Sequence, residues 1–296
     1  MKKSIYYFDQ AIELDSMYAL AYAGLADAYY FMSNWGFYPK NDGFTKAKEF
    51  AQKSLSLNNN TAEAHATLGK ILAFREWKWK TAEKEIKLAI SLNHNSVTAH
   101  QYYYELLEVF GKIIEAREQI NMAIELSPYD SAIRNLSAGC YFRSSNYANA
   151  IEESKKGLDL ANESVLIFHL RLKIILSYLN LGRGQEAIEN IKMLITTDPL
   201  IENNEFLNKM YQESGINTVL YWFVDWILIN KQGAYNRNVA KVYALIGDSQ
   251  NALKYLEKGY EIKESGLHFI IYYPNFDFIK TEPRFIALLE KMNLAD

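Results

Sequence analysis

The sequence predicts an all-α protein, an array of stacked helical hairpins, and three observations predict it. A small residue is followed four positions later by a mostly apolar one and three further on by another small one, and this trio recurs along the chain. The recurrences keep a period near 34 residues, and self-similarity at such a period marks a repeat architecture. Only five prolines and fourteen glycines interrupt 296 residues, and a 49% apolar fraction suffices to bury a core along the whole length.

The most regular run of the trio is Ala82, Ile86, Ala89, then Ala116, Ile120, Ala123, then Ala150, Ser154, Gly157, then Ala187, Ile191, Leu194, with starts 34, 34 and 37 positions apart. Residues three and four apart share one helix face, and small side chains there let a neighbouring helix come close. Upstream the trio reads Ser4, Phe8, Ala11 and Ala47, Ala51, Ser54; downstream it returns as Ala252, Leu256, Gly259. The 65 positions from Ala187 to Ala252 are close to two periods, so a degenerate unit is expected between them. Its core face would be Leu220, Tyr221, Trp222, Phe223, Trp226 and Ile227; the same stripe, if exposed, would instead suit a peripheral membrane or assembly factor. Each trio helix ends at a short break, as at Pro128 or Pro199, because proline cannot continue a helix but can open the next. The partner helix carries Tyr22, Leu25, Ala26 and Tyr29 in the first complete unit, then His65, Leu68, Gly69 and Leu72, with Ala138 and Tyr141 later. Between Tyr29 and Ala47 stand about nine residues more than the period allows. Asn34 to Gly43 therefore reads as a turn-rich loop, with Trp35 packed on the stack rather than left in solvent.

These positions resemble the tetratricopeptide pattern, W-x2-L-G-x2-Y on one helix and A-x3-F-x2-A-x4-P on the next. Tyrosine or histidine replaces the tryptophan, and Asn59, His94 and Asn162 stand where proline is usual. The resemblance implies an α-α superhelix, an alpha solenoid of about six to seven hairpins with a C-terminal cap. Residues 1–200 would form the repeat array, its first unit incomplete, and 201–296 the degenerate repeat, the final hairpin and the cap. The stretches Pro274-Asn275-Phe276-Asp277 and Pro283-Arg284-Phe285-Ile286-Ala287-Leu288-Leu289 resemble the cap that follows such arrays in multidomain bacterial regulators. Tyr273 and Glu282 stand there in place of the aspartates usual before each proline. In those regulators a winged-helix, nucleotide cyclase or kinase domain precedes the repeats. The Ser4 to Glu13 segment has the second-helix pattern with no first helix before it, so upstream sequence or a second copy is expected to cover Ile5, Phe8 and Ile12.

The formal charge of −3 comes from 32 basic and 35 acidic residues spread along the chain, which gives no footprint for nucleic acid. The lone Cys140 cannot form an internal disulfide, and a cytoplasmic setting is expected. Asp9 and Glu13 interrupt any signal-peptide core, and the apolar run from Val219 to Ile229 is broken by Asp225 and falls short of the ~20 residues that span a bilayer. His65, His94, His100, His169 and His268 lack the three- or four-residue spacing of helical metal ligands. Gly182-Arg183-Gly184 reads as a turn, no phosphate-loop or nucleophile motif is present, and pairs such as Glu152-Glu153 are solvating charge. Neither catalysis nor a cofactor is expected.

Carrying the family's inward-facing positions onto this chain gives a peptide-binding groove of Asp27, Tyr30, Phe31, Lys70, Phe74, Gln101, Glu105, Glu108, Asn135, Phe142, Arg143 and His169. The lysine and asparagine pair with which some relatives clamp a C-terminal carboxylate is replaced by Ala23 and Asp27, Ala66 and Lys70, then Gln101 and Glu105. The resemblance thus implies a non-catalytic interaction or scaffold module, the regulatory C-terminal part of a bacterial signalling or transcription protein. The alternative is the sensor portion of a nucleotide cyclase whose catalytic domain lies outside this chain. A protein or peptide partner, or a second copy at the N-terminal end, is expected, without nucleic acid or membrane.

Overall fold

The computed structural model describes residues 2–34, 37–196, 205–230 and 236–294, and among them every regular element is helical. Two compact units divide the chain, Met1–Pro128 and Tyr129–Asp296.

In the first unit α1 (Lys2–Leu14) precedes three hairpins, α2/α3 (Ala19–Asn34, Lys40–Leu57), α4/α5 (Ala62–Phe74, Trp79–Leu92) and α6/α7 (Val97–Val109, Ile113–Leu126). The trio residues Ala47, Ala51, Ala82, Ile86, Ala89, Ala116, Ile120 and Ala123 are all buried, and each hairpin closes across them. A bulkier residue at these sites would hold the helices apart. Ser54, the polar member, donates its hydroxyl to the Ala19 carbonyl at 2.8 Å, so its burial leaves no unmet hydrogen bond.

Where proline is usual between hairpins, asparagine makes the turn itself. Asn58 Oδ1 accepts from the Asn60 N–H at 3.0 Å, and Asn93 Oδ1 repeats the contact with the Asn95 N–H at 3.1 Å. The equivalent histidines then pin each turn to its own hairpin. His65 Nε2 meets the Asn59 carbonyl at 2.8 Å and Nδ1 meets Glu85 Oε2 at 2.6 Å. His100 does the same with the His94 carbonyl at 2.9 Å and Gln119 Oε1 at 2.8 Å. The two histidines are therefore braces within successive hairpins, not a ligand pair.

The long loop expected at 34–43 is shorter than its sequence suggests. Helix α2 runs through Asn34, and α3 begins at Lys40 straight after Pro39, so Asn41 to Gly43 are helical. Tyr38 turns back onto Tyr29, ring centroids 5.3 Å apart; Trp35 lies outside the described residues. Phe8, for which a cover was expected, is half-buried and seats its ring over Gly24, where a Cβ would come within 2.3 Å of it.

The second unit holds α8/α9 (Ser131–Arg143, Tyr147–Leu160), α10/α11 (Ser164–Asn180, Gly184–Ile195), α12 (Phe206–Asn230) and α13/α14 (Asn236–Ile246, Ser249–Glu261). After Pro128, Asp130 caps α8 by accepting from the Ala132 and Ile133 N–H groups at 2.8 and 3.2 Å. The break expected at Pro199 lies outside the described residues. Where the degenerate repeat was expected stands α12, broken at Gly215, where φ is 78° and ψ 177°. Leu220, Phe223, Trp226 and Ile227 are its buried face as expected, but Tyr221 points away and is 44% exposed.

Beyond α14 the chain does more than cap the last hairpin. The 3-10 segments Leu267–Tyr272 and Pro274–Ile279 lead into α15 (Pro283–Lys291), and the first of them reaches back across the unit. The Tyr273 ring lies tilted at 49° against that of Phe142, centroids 5.7 Å apart, and Asn275 Nδ2 donates to Asn180 Oδ1 at 2.9 Å.

Candidate functional site

In the first unit α2, α4 and α6 lie side by side, and the predicted groove residues fall on their adjoining faces. Lys70 Nζ and Glu105 Oε1 form a buried ion pair at 2.5 Å, with Nζ also 4.3 Å from the centre of the Phe74 ring and 4.4 Å from that of Tyr102. Burial holds the Lys70 ammonium below its usual range and Glu105 partly restores it. Gln101 Nε2 donates weakly to Glu105 Oε1 at 3.4 Å, and Glu108 is fully buried. Tyr30 is buried against Phe44, Ala47 and Ile71, and Phe31 packs half-buried on that cluster. Tyr30 and Phe74, two of the predicted groove residues, are thus taken up by packing, the Phe74 ring 5.9 Å from that of Trp79. Asp27 lies one helical turn before Phe31 on α2. That side chain borders a cavity lined by Phe8, Gly24, Glu63, Thr67 and Ser96, and its Oδ1 is buried without a hydrogen-bond partner. Desolvation raises the Asp27 carboxyl to about 6.

In the second unit Asn135, Phe142, Arg143 and His169 do come together, around a cavity of about 80 Å³ between α8, α10 and α13. Phe142, another predicted groove residue, is fully buried. Gly139 leaves the space that the Arg143 guanidinium fills, since a Cβ there would lie 3.0 Å from Nη1. Arg143 lies 4.2 Å from the Phe269 ring centre and donates to Tyr273 Oη at 3.4 Å. Lys173, Arg237, Asn238, Lys241 and Tyr273 also line it, all five missed by sequence reasoning, and Leu136, Leu172 and Leu176 supply an apolar part of the wall. Lys173 lies on α10 four residues, one helical turn, beyond the predicted His169, so extending the inward face by one turn would have found it. Nothing periodic points to the others. Burial, together with the neighbouring cations, lowers Lys173 to about 7 and Lys241 to about 8. Burial alone would raise Tyr273, yet Lys241, Arg143 and Lys173 bring its phenol down to about 7. Burial and the same cationic surroundings push His169 well below its ordinary value.

Among the described residues no group of three or more His, Cys, Asp or Glu could hold a metal ion, and no helix is long and apolar enough to cross a membrane.

No described family profile matches the sequence. The transcriptional regulator HilA of Salmonella typhimurium is 26% identical over 132 residues, which are 45% of this chain and 24% of HilA, and HilA of Salmonella typhi matches to the same extent. The match therefore spans about a quarter of those relatives' length. Among solved structures, a tetratricopeptide repeat protein from Parabacteroides merdae superposes with a TM-score of 0.52 at 16% identity, over 86% of this chain and 98% of that one. The human IFIT1 dimer with m7Gppp-AAAA gives 0.58 at 16% identity, over 88% and 68%. Hairpin repeats, buried small-residue trios and these superpositions define the class. The chain has the tetratricopeptide fold, an all-α array of helical hairpins.

Proposed function

We propose that this chain is a non-catalytic protein- or peptide-binding module, the regulatory part of a longer bacterial transcription or signalling protein working in the cytoplasm. The observation that carries the reading is the polar face of α2, α4 and α6, where Asp27, Gln101 and the Lys70–Glu105 pair offer oriented hydrogen-bonding groups over a rigid aromatic base. Side chains so fixed lose little entropy when a segment binds. The match to HilA, itself a transcriptional regulator, supports the setting. In the second unit Asn135, Arg143 and His169 extend the proposed lining. Residues 1–200 would serve as the binding array and 201–296 as its closure.

A second copy is the proposed cover for the N-terminal end. Tyr6, Tyr7, Leu14, Met17 and Leu20 are all exposed around α1 and the start of α2.

A photo-crosslinking residue at Gln101 tests the binding reading in cells. One defined protein captured from position 101, and not from the exposed Tyr129, is expected. Equal labelling from both positions would refute it.

A further inference from the structure

The cavity beside Asp27 in the first unit lies between α1, α2, α4 and the start of α6, and its lining holds acids without a base. Asp27 and Glu63 supply two carboxylates and Thr67, Ser96 and Thr98 three hydroxyls, while no lysine, arginine or histidine is among the lining residues. Asp27 Oδ1 is buried with no hydrogen-bond partner, and among the described residues neither Asp27 nor Glu63 enters an ion pair. Lys70, further along α4, cannot serve as their counter-charge because it is committed to Glu105 at 2.5 Å. The rest of the wall is apolar, with Phe8 half-buried and Ala23 buried. A carboxylate withdrawn from water with an unmet oxygen calls for a cation that brings several N–H donors.

We propose that this cavity binds a primary alkylammonium group, with Asp27 as its counter-charge. About 260 Å³ is far more than a single water or a bare ion fills, so there is room for the ammonium together with its alkyl stem, which Phe8 and Ala23 can cover. An ammonium brings three donors and no acceptor, which suits a lining of carboxylate and hydroxyl oxygens. Its donors point tetrahedrally and so reach acceptors set on different helices, whereas a planar guanidinium asks for a paired fork. A metal ion fits less well, since no three acids, histidines or cysteines gather there among the described residues. The starts of α4 and α6 bring some positive potential to the rim. Glu63 in the first turn of α4 answers one, and Ser96, whose Oγ accepts from the Ala99 N–H at 3.2 Å, answers the other. Burial holds the Asp27 carboxyl up to about 6 in the free chain, a penalty that a bound cation would relieve. A lysine side chain of a bound segment and a free amine share this chemistry. The inference rests on the reading of this face as a binding surface and adds to it the charge of what is bound.

Calorimetry on the full chain at about pH 8 and matched ionic strength, with butylammonium, ethylguanidinium, 1-butanol and Nα-acetyl-lysine amide, tests it. Saturable binding of butylammonium is expected, with ethylguanidinium and 1-butanol each about tenfold or more weaker. Binding of the lysine amide as well identifies a side chain of a bound segment; its exclusion identifies a free amine. Asp27→Asn should weaken butylammonium about tenfold or more, and Glu63→Gln, at an exposed position, about threefold. Circular dichroism reports whether Asp27→Asn stays folded, and Glu63→Gln carries the comparison if it does not. No saturable binding of butylammonium, equal binding of 1-butanol or ethylguanidinium, or parent affinity in the variant that carries the comparison would overturn the proposal. Butylammonium binding beside equal labelling from positions 101 and 129 would sustain it and remove only the peptide-binding reading.

Discussion

Asp27 carries a cost that can be measured. Its carboxyl is raised to about 6 in the folded chain, against an ordinary value of 3.8, because burial disfavours the charged form. The stability this group contributes is fully present below pH 3.8 and is lost as pH rises through 6. Asp27→Asn is therefore expected to stabilise the chain by about 1–3 kcal/mol near neutrality, with the gain disappearing below about pH 4. Denaturant unfolding at both pH values decides it. The Lys70–Glu105 pair should behave differently. Lys70→Met alone leaves a buried carboxylate unpaired and should cost about 3–5 kcal/mol, whereas Lys70→Met with Glu105→Leu should recover most of that loss, a non-additivity that a double-mutant cycle reads directly. Lys70 and Glu105 were legible together because the resemblance assigns both to the same face of helices in successive repeats, and they meet there as an ion pair. Arg237 and Lys241 were not, because the period fails before the helix that carries them, and Tyr273 was not, because a return of the chain and not a helix face brings it to Arg143.

At the scale of the element, one slot in five of the hairpin turns shows what the repeat demands of its backbone. Residues 77, 111, 145, 182 and 247 all take positive φ, filled by Trp77, Gly111, Ser145, Gly182 and Gly247. The spacing that located the helices also located these turns, but only the backbone shows that the left-handed conformation, not the glycine, is what repeats. Gly247→Ala meets nothing within 4 Å, so its expected cost of about 1 kcal/mol is conformational alone. Gly69→Ala lies within a helix and should gain slightly in propensity, yet its Cβ would sit 2.6 Å from Ile86 Cγ1 and 3.2 Å from the Ala82 carbonyl. Overpacking wins there, and a loss of about 1–3 kcal/mol is expected. Thermal unfolding of the two variants, alike in chemistry and different in cause, checks both.

For the molecule as a whole, an array is stabilised mainly between neighbours, so damage at one end stays local. Tyr7→Lys should reduce the proposed self-association in sedimentation while leaving amide protection in α4 to α7 unchanged; a monomer at every concentration in the parent chain would remove the second copy from the account. The hairpins themselves need only contacts close in sequence, which favours quick formation. The cavity of the second unit does not share that economy. Arg143 meets Tyr273 across 130 residues and Asn180 meets Asn275 across 95. Closing such spans carries an entropy cost that local pairs avoid. During synthesis from the N-terminus, α8 and α10 can therefore stand folded and open while the last thirty or so residues are still being made, at roughly 5–20 residues per second. The cavity is then the final feature to be assembled, and a chain cut short after α14 would keep its repeats and the cavity's cations while leaving it without the Phe269 and Tyr273 rings that close it.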